Sequence, residues 1–201
     1  MAMQAILLLA AYLIGGIPFG YILVRLKTGQ DVRQSGSGNI GATNVLRTTG
    51  RTFGVLTLLL DIAKGYFACW LMARFTASDP VWTALAGVAV VLGHAYPIFL
   101  KFQGGKAVAS FVGVALHLAP AALLGVLVIF IVTVAATRFI SLGSILGAGL
   151  FPVGVWLIYH PVWPVVAATA FCSAFIIWRH SSNIQRLRAG TENVFRFGGK
   201  K

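Results

Sequence analysis

Acidic residues are almost missing from this chain. Its 201 residues include four, Asp31, Asp61, Asp79 and Glu192, against sixteen Lys and Arg, a formal net charge of +12. No histidine therefore has a carboxylate close in sequence to orient it as a general base. Charge of either sign is scarce: 10% of residues are charged and 58% are hydrophobic, too little charge to cover a water-soluble domain. The two cysteines, Cys69 and Cys172, sit inside apolar runs, where they act as small hydrophobes, so no disulfide or metal framework is indicated. Apolar segments are continuous and do not alternate, which excludes a membrane β-barrel. No internal repeat is evident, which weighs against a transporter built from duplicated halves. The first apolar run has neither a basic residue before it nor an Ala-x-Ala site after it, and reads as a retained helix, not a cleaved signal.

What is present is a set of long apolar runs. They predict an all-α, polytopic membrane protein of about seven transmembrane helices, organised as one integral-membrane domain over 1–201. The runs are about Gln4–Val24, kinked by Gly15-Gly16 and Pro18, then Phe53–Phe75 and Trp82–Leu100. Ala107–Leu118 is short for a full span, a candidate half-length or tilted helix. Pro120–Thr137, Leu142–Ile158 and Val162–Trp178 complete the set. Five cations (Arg25, Lys27, Arg33, Arg47, Arg51) follow the first helix, Lys101 and Lys106 the third, and Arg138 the fifth. Arg179, Arg186, Arg188, Arg196, Lys200 and Lys201 follow the seventh. The turns between carry none, except Arg74 at a helix end. The positive-inside rule then places the N-terminus outside and the C-terminus in the cytoplasm. The excess charge reads as topology plus attraction to anionic lipid or phosphorylated substrates, and nucleic acid is a poor explanation.

Three polar segments fall on the same basic face. The first, Ser35 to Arg47, reads Ser-Gly-Ser-Gly-Asn-Ile-Gly-Ala-Thr-Asn-Val-Leu-Arg. Gly36, Gly38 and Gly41 permit left-handed backbone and close approach of peptide N–H groups to a ligand. With Ser, Thr and Asn donors and Arg33, Arg47 and Arg51 nearby, this suits a phosphate. Taken alone, it suits a charged loop between two helices equally well. The second runs from Gly93-His94 to Lys106. Gly104-Gly105-Lys106, just before a helix, offers free N–H groups and a positive dipole end beside a lysine, a natural anion site. A plain helix–helix turn with a snorkelling lysine explains the same residues. It is not a Walker A loop, since Ala107 follows Lys106. The third, Trp178 to Glu192, places Arg179, Asn183 and Arg186 on one helical stripe beside His180, or is simply the amphipathic end of the last helix. Asp61 and Lys64, deep in the second helix, are spaced to pair and are read as a structural ion pair.

Together these patterns resemble the bacterial acyl-phosphate:glycerol-3-phosphate acyltransferases (PlsY type). Ser-Gly-x-Gly-Asn-x-Gly-Ala-Thr-Asn-x-x-Arg, Gly-His-x-x-Pro-x-Phe-x-x-Phe-x-Gly-Gly-Lys and Arg-His-x-x-Asn-Ile-x-Arg-Leu-x-x-Gly-x-Glu occur in order over nearly the whole chain. Asp61-Ile62-Ala63-Lys64-Gly65 also resembles the family's second helix. The resemblance implies acyl transfer from a long-chain acyl phosphate to the sn-1 hydroxyl of glycerol 3-phosphate, yielding lysophosphatidic acid and phosphate. It implies catalytic roles for Ser37, Arg47, Lys106, His180 and Asn183. Substrate-binding roles follow for Gly38, Asn39, Gly41, Thr43, Asn44, Gly104, Gly105, Arg179, Glu192 and His94. No cofactor, metal or obligate protein partner is implied; the partners are the two substrates and the lipid bilayer. The location would be the bacterial inner membrane, with the active site on its cytoplasmic face.

The His-x-x-x-x-Asp dyad of the more widespread glycerolipid acyltransferases is absent: Phe99, Ala122, Val165 and Gln185 follow the four histidines at that spacing. No serine elbow or activated cysteine replaces it. An acyl phosphate is already an activated anhydride, so placement of the hydroxyl and charge stabilisation suffice, with a substrate phosphate or His180 as base. Two other readings compete: a carrier that binds organic phosphates without chemistry, and a lipid-phosphate phosphatase using His94 and His180.

Overall fold

The structure, a computed structural model, describes residues 1–195. Arg196, Lys200 and Lys201 of the basic tail lie outside the described residues. Ten α-helices and two short 3-10 turns account for the ordered elements among the described residues, with no strand. They form two compact units, Met1–Leu118 and the segment from Ala119 onward.

The first unit holds α1 (Ala2–Gly15), α2 (Phe19–Thr28), α3 (Ala42–Thr49), α4 (Arg51–Phe75), α5 (Pro80–Ala95) and α6 (Val108–Leu118). α1 and α2 are one 27-residue apolar span, broken where the sequence places Gly16 and Pro18. Pro18 has no N–H to give, and with φ −91° and ψ 72° it forms a tight turn in which Phe19 N–H donates to the Ile17 carbonyl at 3.1 Å. α4 is the central helix and packs against α1, α2, α3, α5 and α6. Glycines permit this. A Cβ on Gly65 would overlap the Ser110 carbonyl, and one on Gly113 the Ile62 carbonyl, so α4 and α6 touch backbone to backbone. Gly15 and Gly93 bring α1 onto α5 in the same way, against Val90 and Tyr12.

The second unit holds α7 (Pro120–Thr137), α8 (Ile140–Tyr159), α9 (Trp163–Arg179) and α10 (Ser181–Arg188). α8 packs on both α7 and α9, burying Phe151, Val155 and Ile176. On α7, Leu124, Val128, Ile131 and Val132 are each more than half exposed. At helical spacing they form an outward apolar stripe, which faces lipid.

Five helices among the described residues are apolar and long enough to cross a membrane. α6 and α9 are shorter apolar helices. At a 1.5 Å rise, the 11 residues of α6 reach only about 16 Å of a hydrocarbon core about 30 Å thick. The expected seven runs thus resolve into five full-length and two short helices. α5 starts two residues earlier than periodicity predicts: the Asp79 carboxylate caps Val81 N–H at 2.8 Å, and Pro80 takes the first turn.

Candidate active site

The first polar segment contains a helix the sequence reading missed. α3 buries Asn44 and Val45 and turns Thr43 and Arg47, four residues apart, to one other face. Asn44 organises the loop before it. Its Nδ2 donates to the carbonyls of Asn39 (2.8 Å), Ser35 (3.0 Å) and Val32 (3.3 Å), and its Oδ1 accepts from Ser37 N–H at 2.8 Å. Gly36 (φ 60°) and Gly38 (φ 70°) are left-handed as expected, and a Cβ on Gly36 would strike Asn44 Oδ1. Gly41 is not left-handed: at φ −77° it is the extended residue that opens α3, and its N–H is held by Asn39 Oδ1 at 2.8 Å. Asn44 thus shapes the loop from beneath, while Ser37 and Arg47 stay exposed. Arg33, read above as charge for a phosphate, is neutralised locally by Asp31 at 2.6 Å and lies over the Tyr21 ring. The Arg33 guanidinium also holds the Asp31 carboxyl below the usual carboxylate range.

In the second segment α5 ends at Ala95 and the chain doubles back. Lys101 (φ 53°) and Phe102 (φ 62°) take the left-handed turn. Gly104 N–H donates to the Ala95 carbonyl at 3.1 Å and Gly105 N–H to the His94 carbonyl at 3.2 Å. This corrects the expectation of free amides: both are spent tying the loop to the end of α5. Both glycines are required by closeness. A methyl on Gly104 would overlap the His94 carbonyl and the Pro97 ring; one on Gly105 would overlap His94 Nε2 and lie 3.3 Å from Asn39 Oδ1. The first and second segments therefore meet, with half-buried Lys106 leading into α6. His94, read above as substrate-binding, is 4% exposed and packs beneath this loop.

The third segment lies in the second unit. The helix expected to run on from Trp178 breaks at His180, separating Arg179, at the end of α9, from Asn183 and Arg186 on α10. His180 is buried, with Nδ1 2.8 Å from the Ile176 carbonyl. A carbonyl can only accept, so Nδ1 carries a proton. Glu192 is a buried hub. Its Oε1 accepts from Asn183 Nδ2 (2.7 Å) and Ser141 Oγ (3.0 Å), and its Oε2 from Arg186 Nε (2.8 Å). Burial alone would raise its pKa, but the bonds from Asn183, Arg186 and Ser141 together outweigh it and hold the carboxyl below the usual range. Glu192 thus fixes Asn183. Ser141, in the first turn of α8, was not found from the sequence because nothing local distinguishes it from any polar residue at a helix start.

The sequence profile described as glycerol-3-phosphate acyltransferase matches residues 5–190. The chain belongs to the glycerol-3-phosphate acyltransferase family. Among relatives bearing that name, the protein of Geobacter sulfurreducens is 47% identical over 194 residues, covering 96% of this chain and 98% of its own. That of Geobacter metallireducens is 49% identical over 197 residues, covering 98% and 100%. The crystal structure of PlsY, an integral membrane glycerol 3-phosphate acyltransferase, in its glycerol 3-phosphate form, superposes with a TM-score of 0.91 at 36% identity over 96% of both chains. Its lysophosphatidic acid form gives 0.88 at 35%. Membership of the PlsY family fixes the class: an all-helical integral membrane protein. The first two segments lie inside the family match, and so does the third as far as Gly190.

Proposed function

We propose that this chain transfers a long-chain acyl group from acyl phosphate to the sn-1 hydroxyl of glycerol 3-phosphate. The hydroxyl oxygen bonds to the acyl carbon, the carbon–oxygen bond to the phosphoryl group breaks, and the hydroxyl proton ends on the departing phosphate. The products are lysophosphatidic acid and inorganic phosphate. The observation that carries the reading is the junction of the first two polar segments, where Asn39 and Gly105 meet beside Lys106. Exposed Ser37 and Arg47 and half-buried Lys106 supply the donors and cations that two anionic substrates require. His180 and Asn183 are assigned to the same reaction as a positioned imidazole and amide, with Gly38, Thr43 and Arg179 at the substrate. The family match runs through both compact units, which supports one acyltransferase domain.

The hydroxyl proton goes directly to a substrate phosphate in this mechanism. Support comes from His180, whose Nδ1 proton is held by a backbone carbonyl; a neutral acceptor stabilises an imidazolium less than a carboxylate does. The location assigned is the bacterial inner membrane with the site facing the cytoplasm, following the lysine and arginine asymmetry. Purified protein supplied with acyl phosphate and glycerol 3-phosphate should release lysophosphatidic acid and phosphate in equal amounts, and acyl-CoA should not replace the donor. Substrate binding without either product would mean a carrier and overturn the reading. Lys106→Ala should lose about 2–4 kcal/mol of transition-state stabilisation, the size of one electrostatic donor. His180→Gln should retain measurable turnover and an acidic limb in kcat/KM near the second ionisation of a phosphate monoester, about pH 6. Loss of that limb would make His180 the base.

A further inference from the structure

Beneath the second segment lies a buried polar chain that the reaction above does not use. Asp61 and Lys64 on α4 are 2% and 5% exposed and pair at 2.8 Å. Lys64 Nζ also donates to the Ile17 carbonyl at the break between α1 and α2, at 2.8 Å, and lies over the Phe19 ring. On the other side, Asp61 Oδ1 lies 3.7 Å from His94 Nδ1, and Ser110 Oγ on α6 lies 3.2 Å from that nitrogen. The opposite ring nitrogen, Nε2, faces Gly105, whose missing side chain leaves room for it. Gly65, one residue beyond Lys64, closes α4 onto the Ser110 backbone and so brings the Ser110 hydroxyl to the ring.

An ion pair in the interior of a membrane protein is expensive, and apolar residues of similar volume hold helices together at least as well. Packing does not explain it. What an apolar pair cannot do is turn an imidazole, and this carboxylate lies beside the nitrogen that sets the ring of His94. We propose that Asp61 is a positioning residue for acyl transfer: with Ser110 it orients His94, and the ring fixes the Gly104–Lys106 loop and hence the placement of Lys106. Lys64, satisfied by the helix break, holds Asp61 in place. The inference rests on Lys106 acting on substrate, as proposed above.

The test is a cycle with Asp61→Asn/Lys64→Met, which removes the ion pair at similar volume, and Lys106→Ala, each checked for an unchanged size-exclusion profile and thermal transition. The pair variant should fold and lose about 10²-fold in kcat/KM for glycerol 3-phosphate, the cost of misplacing a catalytic group by about 1 Å. In the Lys106→Ala background it should cost nothing further. Folded pair variant with normal activity, or losses that multiply with Lys106→Ala, would overturn the positioning role while leaving the role of Lys106 intact. A silent Lys106→Ala would instead sink both. Should the pair variant not fold, Ser110→Ala keeps the ion pair and removes only the hydroxyl at His94. It should lower kcat/KM about 10-fold, again only when Lys106 is present, and an unchanged value overturns the proposal.

Discussion

Single side chains in this protein are spent mostly on other protein groups, and their substitution effects should show it. Asn44 makes four hydrogen bonds to loop backbone. Asn44→Ala leaves those groups without partners and should cost about 1–3 kcal/mol for each that stays buried. Asn44→Asp keeps the acceptor for Ser37 but loses every donor, so it should be nearly as damaging; thermal melts in detergent decide this. Glu192 gives a pH signature. Its folded carboxyl lies below the usual range, so the unfolded chain takes up its proton more readily. The stability it contributes is complete above the ordinary glutamate pKa and is lost as pH falls through the folded value. Melting temperature followed downward in pH should fall for the native chain, and Glu192→Gln should flatten this component while lowering stability at neutral pH. An identical pH slope in the two proteins would refute the hub role.

Among elements, close approach of helices matters more than side-chain volume. α4 and α6 touch at Gly65 and Gly113, where a Cβ would meet backbone carbonyls that cannot move aside. Gly65→Ala should therefore cost about 1–3 kcal/mol, the range for overpacking. Gly125 in α7 has nothing within 4 Å of where its Cβ would sit. Gly125→Ala should be neutral or stabilising by up to about 1 kcal/mol, because alanine loses less entropy in a helix. Thermal transitions of the two variants against the native chain provide the comparison, and equal shifts would contradict it. Gly105 lies in a loop and is restricted by a side chain instead: a Cβ there would meet the His94 ring, so Gly105→Ala should impair folding of the loop as well as substrate affinity.

For the molecule as a whole, orientation in the bilayer is the testable property. Gln103 and Ser78 are both exposed, while Cys69 and Cys172 are buried and leave a quiet background for thiol labelling. A cysteine at Gln103 should react only with reagents entering from the cytoplasm, and one at Ser78 only from outside. Reversed labelling would put the basic segments on the wrong face for cytoplasmic substrates.

The helical membrane class and the family were legible in the sequence. Long apolar runs have only one way to satisfy their backbone in lipid, and the polar breaks that interrupt them carry the motifs. The spans Pro120–Thr137, Leu142–Ile158 and Val162–Trp178 came within two residues of α7, α8 and α9 for that reason. α3 was hidden because eight mostly polar residues carry no long apolar period, and it is held by burial of Asn44 and Val45. The free amides expected at Gly104 and Gly105 were wrong because hydrogen-bond partners supplied by a chain reversal cannot be read from spacing. Likewise, Asp61 and Lys64 were visible as a pair from their i, i+3 separation. That Lys64 also reaches the Ile17 carbonyl and Asp61 lies beside His94 follows only from helices packed at glycine contacts, which bring distant polar atoms together where water cannot substitute for them.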